Sequence, residues 1–171
     1  MPDQIQSKIF SAKDFYAIQN EWNKAGFTTV FTNGVFDLIH RGHIDYLYKA
    51  SQLADRFIVG LNADTSVKKL EKGSDRPIIS EDDRAYLLAA FSFIDAVIIF
   101  EETTPLQLIE LIKPNVLVKG GDYDPNAKKG EKNYIVGSDI VLKEGGKVDV
   151  IPFLPGYSST RIINKIRNSN L

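Results

Sequence analysis

Five short runs of β-branched and apolar residues recur along this chain, with segments of helical period between them. That alternation constrains the fold most, because parallel strands need long crossover connections and helices usually supply them. The expected strands are residues 28–32, 56–61, 96–100, 116–119 and 147–151. Between them, Ile44, Leu47, Tyr48 and Ser51 lie at helical spacing, as do Arg84, Leu87, Leu88 and Phe91. Ser80 is the expected N-cap of the second helix, with Glu81, Asp82 and Asp83 at its positive end. Residues 105–112 give a third helix, opened by Pro105 and closed near Pro114. The pattern predicts an α/β fold: a doubly wound, mostly parallel five-stranded sheet with helices on both faces.

A length of 171 residues fits a single domain. The core is expected over 27–168, with 1–26 as an N-terminal extension carrying a helix. No repeat, low-complexity tract or linker interrupts the pattern.

In such sheets, ligands bind beyond the carboxyl ends of the strands, where the strand order reverses. The residues just after each strand are therefore the first place to seek a site. The first strand leads into Asn33-Gly-Val-Phe-Asp37 and the chain's only two histidines, the second into Asn62-Ala-Asp64, and the fourth into Gly120-Gly-Asp-Tyr123. The fifth leads into Pro155-Gly-Tyr-Ser-Ser-Thr160, which opens the last helix. These four polar, glycine-rich segments converge on one edge. Segments 68–77 and 123–132, polar and marked by glycine or proline, read as mobile loops over that site.

Charge narrows the function classes. Lys+Arg 21 against Asp+Glu 22 leaves a net charge of -1, so bulk charge does not favour nucleic acid as a partner. The absence of cysteine excludes disulfides, thiolate metal sites and thiol nucleophiles. The first residues lack the apolar stretch of a signal peptide, and no apolar run approaches the roughly 20 residues that span a bilayer. A cytoplasmic protein without membrane attachment is expected.

His40-Arg-Gly-His43 sets two imidazoles at a helix entrance, where unpaired N–H groups and a partial positive charge suit phosphate. Gly42 removes a side chain where a ligand approaches. Both rings are placed to donate to phosphoryl oxygens as negative charge builds.

The run Asn33-Gly-Val-Phe-Asp-Leu-Ile-His-Arg-Gly-His43 resembles the HxGH motif of the nucleotidyltransferase superfamily, whose fold is Rossmann-like. Residues 60–67, Arg76-Pro77, Arg84, Asp95, Val118-Lys-Gly-Gly-Asp-Tyr123 and Tyr157-Ser-Ser-Thr160 continue the resemblance in order, across roughly 27–168. Within the superfamily, Lys119-Gly-Gly-Asp-Tyr123 is similar to the heptose 1-phosphate adenylyltransferases. The resemblance implies attack by a sugar-phosphate oxygen on the α-phosphate of ATP, giving ADP-heptose and pyrophosphate. Such chemistry depends on in-line positioning and charge neutralisation.

By the same resemblance, His40, His43 and Lys72 are catalytic. The nucleotide falls to Thr32, Asn33, Gly34, Val35, Phe36, Gly42, Lys119, Gly120, Gly121, Asp122, Tyr157, Ser158, Ser159 and Thr160. The second substrate falls to Asp37, Asn62, Asp64, Lys69 and Arg84. Mg2+ is expected on the nucleotide phosphates rather than on a carboxylate cage. A homodimer or higher homo-oligomer is implied, for which the face near 87–94 offers apolar surface, together with a separate sugar kinase as pathway partner.

Several of these residues have structural roles open to them. Asp37 suits a turn by accepting backbone N–H groups, Ser158 and Thr160 cap a helix in any protein, and Lys69 and Lys72 sit where solvated lysine is the default. Thr32 is the kind of residue that more often simply fills a strand. Arg84, on an otherwise apolar stripe, pairs with Asp95 or binds substrate.

Two departures from relatives bear on the substrate. Phe153 stands where the glycerol-3-phosphate cytidylyltransferases carry an arginine, which weighs against that alternative. Arg161 directly follows Thr160, where other branches place arginine two residues later; a helix residue turns about 100°, so no phosphate role carries over to it. A non-catalytic nucleotide-binding module is the other alternative, and it has no need for both histidines.

Overall fold

All five expected strands form, and a sixth joins them at the edge. The computed structural model describes residues 2–70, 76–121 and 123–169. In chain order the elements are α1 (Pro2–Gln6), β1 (Ile9–Phe10), α2 (Ala12–Lys24), β2 (Thr29–Gly34), α3 (Arg41–Ser51), β3 (Arg56–Asn62) and α4 (Asp64–Lys69). Next come α5 (Glu81–Ala89), β4 (Ala96–Phe100), α6 (Leu106–Ile112), β5 (Val116–Gly120), α7 (Ser138–Lys143), β6 (Lys147–Ile151) and α8 (Ser159–Asn168).

The sheet order is β1-β4-β3-β2-β5-β6 and every pairing is parallel. The five-stranded expectation is thus corrected by β1, whose two residues pair with Val97 and Ile98 of β4. Two residues are too few to show a period, so only the pairing reveals the strand. The segment expected as an extension therefore completes the sheet, and α2 buries Phe15 and Gln19 behind it.

Both faces of the sheet are apolar, as doubly wound folds require. On β3, Phe57, Val59 and Leu61 face one core with Val30, Leu47 and Leu88, while Ile58 faces another with Phe15, Phe31 and Ile109. Strand alternation sets this division. Ser80 caps α5 as expected, accepting from the Asp83 N–H at 3.3 Å. Two helical stripes are rotated from expectation: α3 buries Gly42, Tyr46, Leu47 and Ala50, leaving Ile44 and Tyr48 exposed, and α5 leaves Leu87 exposed. On the face expected to serve oligomerisation, Leu87 is open whereas Leu88, Ala89 and Ile94 are buried in the core. Segment 68–77 begins inside α4, which holds Lys68 and Lys69, and its residues 71–75 lie outside the described residues. Among the described residues, no helix is long and apolar enough to cross a membrane.

From β2 the chain winds through β3 to β4 on one side, then returns to place β5 on the other side of β2. The crevice between β2 and β5 is the switch point at which such sheets bind ligands.

Candidate active site

A cleft of about 840 Å3 opens at that switch point. The loop after β2 forms its floor. Phe36 and Leu38 both have left-handed backbone (φ 49° and 52°), costly for side chains with a Cβ and typical of functional turns. Between them, Asp37 turns inward and is 1% exposed. Its carboxylate accepts from the Ile78 and Ile79 N–H groups at 2.9 and 3.1 Å and pairs with Arg76 Nε at 3.0 Å. Its own carbonyl accepts from Ser159 Oγ at 2.6 Å, tying the loop to α8. Of the structural roles open to Asp37, the bonding of backbone N–H groups is realised, toward a segment distant in the chain.

His40 caps α3, its Nδ1 accepting from the His43 N–H at 3.3 Å. A ring that accepts at Nδ1 carries its neutral-state proton on Nε2. The two imidazoles stack at 3.9 Å with 12° between planes, and Phe36 meets His43 edge-on at 5.7 Å. Burial lowers the His43 pKa to about 4, helped by His40 and Arg76 and opposed by the Asp37 carboxylate. Burial also lowers that of His40. Near neutral pH both rings are therefore uncharged donors, ready to meet developing negative charge.

Arg84 is fully buried, and its fork is occupied. Nε donates to the Ile79 carbonyl at 3.0 Å, Nη1 to Val35 at 2.5 Å, and Nη2 to the Asn62 carbonyl at 2.9 Å and to Asp64 Oδ1 at 2.6 Å. The expected Arg84–Asp95 pair does not form. Asp95 instead holds Arg56 Nη1 at 3.1 Å and the Phe57 N–H at 2.8 Å. Arg84 knits the loop after β2 to the end of β3 and the start of α5. Asn62 donates from Nδ2 to Ser66 Oγ at 2.9 Å.

Across the switch point, Lys119 Nζ reaches Asn33 Oδ1 at 2.5 Å and lies 5.8 Å from the centre of the Tyr123 ring. Beyond it, the Phe153 ring rests on the Gly120-Gly121 backbone: a Cβ at Gly120 would collide with the ring, and Gly121 has φ 98°. Glycine is required here by close approach. Ser158 caps α8, accepting from the Arg161 N–H at 3.1 Å, and Arg161 Nη1 donates to the Gly156 carbonyl at 2.7 Å.

The cleft gathers His40, His43, Asn33, Gly34, Val35, Phe36, Asp37, Gly42, Asn62, Lys119, Gly120, Tyr157, Ser158, Ser159 and Thr160. Thr32, Asp64, Lys69, Gly121 and Arg84 stand outside its lining. Thr32 is buried, with its hydroxyl 2.5 Å from that of Tyr46. Lys72 and Asp122 lie outside the described residues. Sequence reasoning missed Tyr46, Arg76, Thr103, Thr104 and Phe153 as lining residues. The Thr103-Thr104-Pro105 segment comes after β4, and applying the strand-end rule to that strand as well would have found it. Among the described residues, no group of three or more His, Asp or Glu is arranged to hold a metal ion, and Asp37 is committed to its own donors. The lining does include oxygen-bearing side chains and helix-start N–H groups suited to a metal–phosphate complex.

Residues 31–165 match the family described as cytidylyltransferase-like. The bifunctional protein HldE of Syntrophotalea carbinolica is 45% identical over 163 residues, covering 95% of this chain and 32% of that protein. HldE of Geobacter metallireducens is 53% identical over 137 residues, covering 80% of this chain and 26% of its own. The chain thus spans only 32% and 26% of the length of these two relatives. Among solved structures, a lipopolysaccharide core biosynthesis protein from Thermoplasma volcanium superposes with a TM-score of 0.57 at 26% identity, over 75% of this chain and 98% of that one. A pantoate-β-alanine ligase from Francisella tularensis shares the fold, with a TM-score of 0.53 at 18% identity, over 95% of this chain and 81% of that one.

Proposed function

The chain belongs to the cytidylyltransferase-like family, and on that basis we propose that it adenylylates a sugar 1-phosphate, D-glycero-β-D-manno-heptose 1-phosphate. A phosphate oxygen of the acceptor attacks the α-phosphorus of ATP, the bond to the β-phosphate oxygen breaks, and ADP-heptose and pyrophosphate leave. The observation that carries this reading is the stacked, neutral histidine pair at the α3 entrance, facing the cleft at the β2–β5 switch point. Neutral imidazole N–H donors, Nε2–H in the case of His40, bind a phosphate weakly while its charge is spread, and more strongly as charge concentrates during transfer.

The nucleotide fits the β5, β6 and α8 side. There Gly120 admits close approach, Lys119 supplies charge, and Ser158, Ser159 and Thr160 stand at a helix start. Lys72, Asp122 and Gly121 keep the roles that resemblance gives them. Mg2+ would arrive on the triphosphate, ligated by phosphate oxygens and water, and would neutralise the departing pyrophosphate. The acceptor side calls for a kinase acting at the anomeric hydroxyl to supply the sugar 1-phosphate. Likeness to HldE over 95% of the chain, and to a lipopolysaccharide core biosynthesis protein, supports the heptose acceptor. Phe153, apolar and lying on Gly120, argues against the phosphate-binding arginine of the cytidylyltransferase alternative.

The deciding experiment measures pyrophosphate release by the purified protein with magnesium. ATP with heptose 1-phosphate is expected to turn over roughly 10- to 100-fold better than CTP with glycerol 3-phosphate, the worth of a charge-assisted phosphate bond. The reverse preference would overturn the substrate while sparing nucleotidyl transfer. Protein that binds ATP yet releases no pyrophosphate with any acceptor would be a binding module.

A further inference from the structure

Among the described residues that line the cleft, two carry a fixed positive charge, and they come from different elements. Lys119 belongs to β5 and is tied to Asn33. Arg76 comes from the chain just before α5, and what holds it is unusual. Asp37 is buried and already fixed by the Ile78 and Ile79 N–H groups, so it is a rigid anchor before Arg76 is considered. Arg76 faces that anchor as an ion pair, with Nε 3.0 Å from the carboxylate but no hydrogen bond between them. Its terminal nitrogens make no hydrogen bond within the described residues, and its side chain keeps 16% exposure on the cleft wall. A guanidinium paired by charge at its Nε edge keeps the four N–H donors of its terminal nitrogens in a planar fork, the geometry that takes two oxygens of one phosphate. Partial burial keeps its charge less screened than that of a surface arginine.

Apart from Asp37, the lining contributed by the ends of β3 and β4 is uncharged. Asn62, Thr103 and Thr104 offer amide and hydroxyl groups at the ends of β3 and β4, suited to sugar hydroxyls rather than to a triphosphate. We infer that Arg76, positioned by Asp37, receives the phosphate of the acceptor and aims its oxygen across the histidine pair at the nucleotide. The inference rests on the sugar 1-phosphate reading above and adds the residue that selects a phosphomonoester acceptor.

The test compares wild type with Arg76→Gln and Arg76→Lys. With heptose 1-phosphate and ATP as substrates, Arg76→Gln should raise the acceptor KM by about 10- to 100-fold. The ATP KM should stay within about twofold, which also shows that the variant is folded. Arg76→Lys should recover part of the loss, since it restores charge without the fork. Asp37→Asn should raise the acceptor KM as well, by freeing the guanidinium from its anchor. Calorimetric binding of inorganic phosphate to protein saturated with α,β-methylene-ATP supplies a second readout that needs no turnover. Phosphate should bind wild type and be weakened by Arg76→Gln to the same degree.

An equal rise in ATP KM would assign Arg76 to the triphosphate, and unchanged kinetics with unchanged phosphate binding would leave it a counter-ion for Asp37. Either result overturns the inference. Absence of turnover with Arg76-dependent phosphate binding intact would sink the sugar transfer reading and uphold the anion site.

Discussion

At the scale of single residues, the histidine pair carries a stability cost beside the chemistry proposed for it. If the rings stabilise charge only as transfer proceeds, His40→Ala and His43→Ala should each lower kcat on the order of 10²-fold with a smaller effect on KM. Folded variants turning over near the wild-type rate would return the pair to helix capping. The low His43 pKa has its own consequence. Between pH 6.5 and about 4 the unfolded chain binds a proton at this histidine that the folded chain refuses, so stability falls as pH falls through that window. At about 1.4 kcal/mol per pH unit, the loss is on the order of 3 kcal/mol. Urea unfolding of wild type and His43→Gln should show this slope in the first and a shallower one in the second. Parallel pH profiles would contradict the buried, neutral assignment. The pair was visible in the sequence because two histidines three residues apart at a helix entrance form a local pattern. The protonation state was not, since it depends on burial by Phe36 and on Arg76, brought in from 33 residues beyond His43.

At the scale of elements, Arg84 joins what the chain keeps apart. It sits on α5 and satisfies carbonyls of Val35 after β2, Asn62 at the end of β3, and Ile79, while pairing with Asp64. Arg84→Met would leave three carbonyls short of a donor and the Asp64 carboxylate without its ion pair. Breaking a buried pair of this kind costs about 3–5 kcal/mol. Equilibrium denaturation should show a loss of that size, with activity falling because Val35 lies in the cleft floor. A loss below about 1 kcal/mol would place the arginine among surface pairs instead. The sequence marked Arg84 as odd on an apolar stripe and offered Asp95 or substrate as its partner, and packing supplied Asp64 instead. Helical spacing identifies which side chains turn inward, while the partner depends on how far α5 slides along the sheet, which no local period encodes.

At the scale of the molecule, the site is a product of strand order. β2 and β5 are adjacent because the chain reverses direction across the sheet, and the loops after them meet only for that reason. Lys119 and Asn33, 86 residues apart in sequence, touch across this junction, and Ser159 reaches the carbonyl of Asp37 from 122 residues away. The cleft therefore inherits its shape from the crossovers more than from any single loop.

The parallel α/β sheet, the loops after its strands and the histidine motif were all legible from the order of residues. Each is written in spacings of a few residues, at the periods of strand and helix and in the chemistry of turns. Packing had to establish that β1 closes the sheet's edge, that Asp37 anchors a loop rather than standing free, and that Arg84 pairs with Asp64. It likewise brought Arg76, Thr103, Thr104 and Phe153 to the cleft. These depend on register, helix rotation and crossover geometry, which are fixed when distant segments meet and have no local signature.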